Sequence, residues 1–245
     1  RVTWNPKSDS FDPINPLEVG RNASVVGPWN MTSFLGCMGH KYEEALLVVG
    51  RSVNGWSPKW LASEAQNKNQ ALRIAKTALN DGTNCPMAWV LERWARGEDK
   101  TYRTSRSAFW RTARQVLDAI DPTAEFEEQW PSKLSWSYLY KISYYDGGNP
   151  NNHLCSLQLE YCRKILVAEI EQFNPRRVLF STGEDWACDF LDPLGAKSTA
   201  YDGTYVKSHG QLQVGRTSVK FVIACHPQGK RESQWVDEVV SAFRS

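Results

Sequence analysis

Two short polar loops hold the residues of this chain best suited to chemistry. The first is Gly50-Arg51-Ser52-Val-Asn54-Gly55-Trp56, which follows an apolar run at residues 45–49. The second is His226-Pro-Gln228-Gly-Lys230-Arg231, which follows the apolar run at 219–224. An imidazole near neutral pH can take up or release a proton, or donate one N–H to a developing anion, so His226 has the widest chemical range. Asn54 offers an amide able to orient a water or a sugar, and Gly50 and Gly55 let the backbone come close to a bound group. Lys230 and Arg231 are suited to holding a phosphate beside His226, and Arg51 is either a phosphate ligand or a surface charge. Each residue also has a plain reading. Asparagine beside glycine is ordinary turn chemistry, Asp146-Gly-Gly is a common turn, and a lone histidine can cap a strand end.

The same spacings exclude several classes. Gly50 and Gly55 are spaced as in a phosphate loop, but no Gly-Lys-Ser/Thr follows, so a nucleoside-triphosphate site is not expected. No GxGxxG follows a strand, which disfavours a dinucleotide enzyme. The cysteines at 37, 85, 155, 162, 188 and 225 show no CxxC spacing, so neither zinc nor an iron–sulfur cluster is expected, and no other cofactor is indicated.

These loops need strands to aim them. The run at 45–50 is continuously apolar, as in a buried parallel sheet, and residues 134–143 and 177–180 read as further strands. The 134–143 run is crowded with hydrogen-bonding aromatics, of which Tyr138, Tyr140 and Lys141 are best placed to reach an edge. A hairpin around Gly215 leads into the strand before His226. Helices are expected over 61–79, from Pro86, over 107–120, over 154–173, from Glu184 to Leu191 and over 232–243, with 96–106 a charged loop. Strands separated by helices imply βαβ units. The expected fold is α/β, a three-layer αβα sandwich with a central, mostly parallel four-stranded sheet. It forms a single domain over 1–245, with residues 1–40 as an irregular N-terminal arm.

Composition is compatible with this. At 245 residues and 41% hydrophobic, the chain can bury one large α/β core or two small ones. The net charge of +2 neither demands nor excludes a polyanion, while eleven tryptophans suit both core packing and base stacking. There is no signal-peptide pattern and no apolar run near the roughly 18 residues of a membrane span. A soluble, cytoplasmic, reduced protein is expected.

Taken in order, the segments resemble the uracil-DNA glycosylase superfamily over about residues 44–243. The Gly50 to Gly55 loop resembles that superfamily's first motif. The stretch Ile165 to Leu191, with Glu169-Ile170, Pro175 and Val178-Leu-Phe ahead of Gly183, is similar to its central helix–strand–glycine unit. His226-Pro227 resembles its second motif. The resemblance implies a monofunctional enzyme that flips a base out of double-stranded DNA and hydrolyses its N-glycosidic bond, and a monomer is expected. Asn54 would position the attacking water, and His226 would donate to the departing base. Gly50, Arg51, Ser52, Trp56, Tyr138 and Lys141 would surround the substrate, while Gln228, Lys230 and Arg231 would grip the DNA.

The chain also departs from the family pattern. Uracil-specific members offer an asparagine on the second strand, where this chain has Tyr138 beside Ser137, and a tyrosine cannot present a paired amide donor and acceptor. Gln228 stands where serine is usual. The expected target is therefore a modified pyrimidine, for example a glucosylated hydroxymethylcytosine of phage DNA, in an antiviral role. The alternatives are a non-catalytic DNA-binding member of the same fold, or a small-molecule N-glycoside hydrolase that uses His226 with Asp146.

Overall fold

A computed structural model of the chain describes residues 3–5, 10–12, 30–56, 59–65, 68–79, 86–95, 102–122 and 127–245. Its strands and helices begin with β1 (Thr3–Asn5), β2 (Ser10–Asp12), β3 (Asn30–Ser33), β4 (Cys37–Met38), β5 (Leu47–Ser52) and β6 (Lys59–Leu61). Then come α1 (Lys68–Leu79), α2 (Pro86–Ala95), α3 (Ala108–Ile120), β7 (Ser135–Tyr140), β8 (Ile142–Tyr144) and α4 (Asn152–Phe173). The chain ends with β9 (Arg177–Ser181), α5 (Glu184–Leu191), β10 (Lys197–Ala200), β11 (Val206–Val214), β12 (Thr217–Ala224) and α6 (Glu232–Arg244). Much of the expected N-terminal arm, and residues 96–101 of the expected charged loop, lie outside the described residues. Two compact units emerge, one of Arg1–Leu35, Ser52–Gly82 and Tyr140–Ile165, the other of Gly36–Arg51, Thr83–Leu139 and Leu166–Ser245.

The second unit is built on a seven-stranded sheet in the order β10-β11-β12-β9-β5-β7-β4. β12 and β5 both pair in parallel with β9. β7 lines the other side of β5. The Ser135 N–H donates to the Leu46 carbonyl at 3.1 Å and the Val53 N–H to the Tyr140 carbonyl at 3.3 Å, so both strands advance together. The expectation of four strands is corrected to seven. The parallel region is four wide, and β10, β11 and β4 extend it with antiparallel pairings. All four residues of β10 are exposed and β4 has two residues, so neither leaves an apolar pattern to read.

Burial explains why the parallel strands were legible. Leu47, Val48, Val49, Val178, Leu179, Phe180, Phe221 and Val222 are all essentially inaccessible. A strand covered on both faces has no polar alternation and reads as an unbroken apolar run. α3 buries Phe109, Trp110, Ala113, Val116 and Leu117, and packs along α6, which buries Trp235, Val236, Val239, Val240 and Phe243. α5 buries Ala187, Phe190 and Leu191 beside β11 and β12. One buried carboxylate braces the sheet: Glu169 accepts from the Ser137 hydroxyl and from the Gly36 N–H, each at 2.6 Å. Both acceptor oxygens are thus satisfied away from water.

The first unit contains the antiparallel sheet β6-β3-β8 and the β1–β2 pair. The strand expected over 134–143 is divided at Lys141, where the backbone bends and its carbonyl accepts the Phe34 N–H at 2.9 Å. After the bend, β8 pairs with β3. The Gln158 side chain of α4 clamps the start of β8, accepting from the Ile142 N–H at 3.0 Å and donating to the Ile142 carbonyl at 2.8 Å.

No helix among the described residues is long and apolar enough to cross a membrane, and no group of His, Cys, Asp and Glu there could hold a metal ion. The five described cysteines are free thiols.

Candidate active site

Strand register brings the candidate residues of the second unit to one edge. Val49 stands opposite Phe180, and Phe180 opposite Ile223. Two residues further along each strand lie Arg51, Thr182 and Cys225, with His226 next. This is the carboxyl edge of parallel strands, where α/β folds collect ligands.

His226 is half-buried, its ring nearly parallel to Phe109 at 18° with centroids 6.5 Å apart. Its Nδ1 accepts the Gln228 N–H at 3.3 Å. A nitrogen that accepts carries no proton, so the neutral ring holds its proton on Nε2. Burial lowers the His226 pKa below its ordinary value, and the Arg51 guanidinium lowers it further. Both effects penalise the imidazolium. At neutral pH the site therefore offers an uncharged imidazole with an Nε2–H donor. Nε2 has no hydrogen-bond partner among the described residues.

The backbone around His226 is held on both sides. The Cys225 N–H donates to the Tyr205 carbonyl, and the Trp235 indole N–H donates to the Cys225 carbonyl, both at 2.9 Å. Beyond the histidine, the Lys230 N–H closes a turn onto the Pro227 carbonyl at 3.1 Å, and the Arg231 N–H reaches the Tyr205 hydroxyl at 3.3 Å. Gln228, Lys230 and Arg231 are exposed on this anchored loop.

Arg51 is committed to its neighbours. Its Nε donates to the Thr182 carbonyl at 2.6 Å, and its guanidinium lies 5.5 Å from the centroid of the Trp186 ring. A fixed positive charge therefore stands near His226, as the lowered pKa reflects.

Gly50 makes a close approach possible. A Cβ at this position would lie 2.7 Å from Cδ1 and Cε1 of Tyr138, and 3.6 Å from Cε2 of Phe109. Tyr138 is half-buried, with its ring edge-on to Trp136 at 5.3 Å. Burial raises the Tyr138 pKa far above its ordinary value, so the hydroxyl stays protonated. Tyr138 and Phe109 thus both close on Gly50, and Phe109 in turn stacks beside His226. Gly50→Ala is expected to cost about 1–3 kcal/mol through this overlap, a cost that Tyr138→Ala in the same chain should largely remove. Urea unfolding of the two single variants and the double variant measures this. Simple additivity would show that the two positions do not meet.

The remaining candidates belong to the first unit. Asn54 is exposed, and its amide has no partner among the described residues. Ahead of it the Ser52 hydroxyl donates to Asn149 Oδ1 at 3.0 Å, and after it Gly55 takes the left-handed φ of +59°. Trp56 is half-buried edge-on to Phe34 at 5.3 Å, and its carbonyl accepts from the Thr32 hydroxyl. Lys141 is buried, at 3% exposure. Asp146 is exposed and accepts from the Asn30 amide at 3.5 Å.

No protein-family model matches this chain. No curated protein matches it either. The site is therefore read from its own chemistry. Phe109, Trp186 and Trp235 all support it, and none of them stood out in the sequence as a site residue. Phe109 read as part of an apolar helix face, and no spacing distinguishes a core phenylalanine from one that stacks beside His226.

Proposed function

We propose that this protein is a monofunctional DNA glycosylase acting on a modified pyrimidine. The observation that carries this reading is the neutral His226, held with its Nε2–H donor unpaired at a strand-end edge. Breaking an N-glycosidic bond leaves positive charge on the sugar and negative charge on the base. An aimed, uncharged donor stabilises the departing base without adding a positive charge beside the sugar. The target nucleotide would leave the stack at a cost of a few kcal/mol.

Asn54 carries the second role in this reading, that of orienting the attacking water. Tyr138 favours a base other than uracil, because its protonated hydroxyl offers a single donor or acceptor and no paired amide. Gln228, Lys230 and Arg231 are the proposed DNA contacts, with Gly50, Arg51, Ser52, Trp56 and Lys141 around the substrate. The reading includes a three-layer αβα arrangement in one working domain, a monomer in the cytoplasm, no cofactor, and double-stranded DNA as partner.

The test is incubation with duplexes carrying uracil, hydroxymethyluracil or glucosylated hydroxymethylcytosine, followed by assay for abasic sites. Abasic product from a modified base, ahead of uracil, is the expected result. Binding with no abasic product on any duplex would overturn the enzymatic reading in favour of a non-catalytic DNA-binding protein. Cleavage of free nucleosides with intact DNA untouched would favour a small-molecule hydrolase.

A further inference from the structure

The segment at 102–107 takes no part in the reading above, yet it is tied to the His226 loop. Tyr102 is 56% exposed, and its ring stacks on half-buried Trp89 at 5.9 Å and 7°. Trp89 stacks in turn on buried Trp136 at 6.4 Å and 13°. Three nearly parallel rings thus rise from the core to the surface, and the outermost is a tyrosine. The segment is anchored beneath: the buried Thr104 hydroxyl donates to the Val90 carbonyl of α2 at 2.6 Å.

A single guanidinium links this segment to the start of α6. Arg111 donates through Nη1 to the Ser105 carbonyl and through Nε to Glu232, each at 3.0 Å. It therefore joins the residue before Arg106 to the residue after Arg231. Arg106, Lys230 and Arg231 are all exposed. Tyr102 is three residues from Ser105, a span of about 10 Å at full extension.

A fixed aromatic face beside several exposed cations is the combination that single-stranded nucleic acid requires. Every base has a π face to stack, and every nucleotide has a phosphate to pair. We propose that Tyr102 is a stacking platform for an unpaired base of a DNA strand whose phosphates follow Arg106, Lys230 and Arg231. That the strand leads on to His226 rests on the glycosylase reading; the platform itself does not.

The test is fluorescence anisotropy with a labelled oligothymidylate of about 15 nucleotides, a length within the usual single-strand site sizes. Controls are the paired duplex and an oligomer of the same length built from abasic units. Tyr102→Ala is expected to weaken single-strand binding about tenfold, the loss of one base stack, and to change duplex binding by less than about twofold. Tyr102→Phe should bind as the unaltered protein does. Arg106→Ala should lower the slope of log affinity against log salt by about 0.7, one phosphate contact on a single strand.

The abasic oligomer asks the same question without altering the protein: it should bind about as weakly as oligothymidylate binds Tyr102→Ala. Abasic and base-bearing oligomers bound equally by the unaltered protein would overturn the proposal. So would an absence of single-strand binding, or equal losses on single strand and duplex in Tyr102→Ala. Failure to release any base would refute the glycosylase reading while leaving these affinities as measured. Base release with no platform effect would refute only the platform.

Discussion

Replacing His226 with alanine is expected to slow base release by about 100- to 1,000-fold, the usual cost of removing one aimed donor from a developing anion. DNA binding should persist, because the exposed cations of the loop remain. The pH profile gives an independent readout. Burial and Arg51 lower the His226 pKa, so the neutral ring predominates at pH 7 and above. The unaltered protein should hold a level rate through neutral pH, then lose it as pH falls through that lowered pKa. Protonating Nδ1 breaks its bond from the Gln228 N–H and places a second positive charge near Arg51. Arg51→Gln removes one of the two causes of the shift, so its acid limb should move to higher pH. Single-turnover rates across pH for the three proteins measure this. A His226→Ala rate close to that of the unaltered protein would remove His226 from the mechanism.

Trp235→Ala is expected to have the largest effect on stability, about 3–5 kcal/mol, typical of deleting a fully buried aromatic side chain. Trp235 is at 0% exposure on α6. Its indole N–H also satisfies the carbonyl of Cys225, the residue immediately before His226. Trp235→Phe separates these two contributions. It keeps most of the packing and leaves the Cys225 carbonyl unsatisfied, an expected cost of about 1–3 kcal/mol. Because that carbonyl anchors the His226 backbone, Trp235→Phe should also slow base release more than its folded fraction accounts for. Urea denaturation followed by rate measurement on the folded protein tests both. A Trp235→Ala loss below about 1 kcal/mol would show that the helix face repacks around the gap.

The central strands were legible because of their burial. The runs at 45–50, 178–180 and 221–224 lack polar alternation since both faces of β5, β9 and the second half of β12 are covered, and such runs announce themselves. Edge strands lack this signal. β10 has four exposed residues and β3 lies in a segment rich in loop residues, so pairing partners rather than composition make them strands. The division of 134–143 at Lys141 has the same origin: the aromatic and β-prone residues favour extension on both sides, and β3 captures the second half. The grouping of 52–82 and 140–165 with the N-terminal segment was invisible for a related reason, since long-range contacts leave no local pattern.

The sequence by itself determined that Arg51 and His226 would stand at strand ends, because an apolar run followed by glycine or proline leaves the chain few other places to turn. It also placed Tyr138 on a strand, within the run at 134–143. Tertiary structure alone decided which nitrogen of His226 carries the proton, since that depends on where the Gln228 N–H points. It likewise decided that Gly50 must lack a side chain to admit Tyr138, that Arg51 turns onto Thr182 and Trp186, and that Tyr102 surfaces above Trp89. The physical reason is the same throughout. Backbone preference and hydrophobic period act over a few neighbouring residues. Charge state, close approach and ring stacking depend on atoms that the chain brings together from far apart.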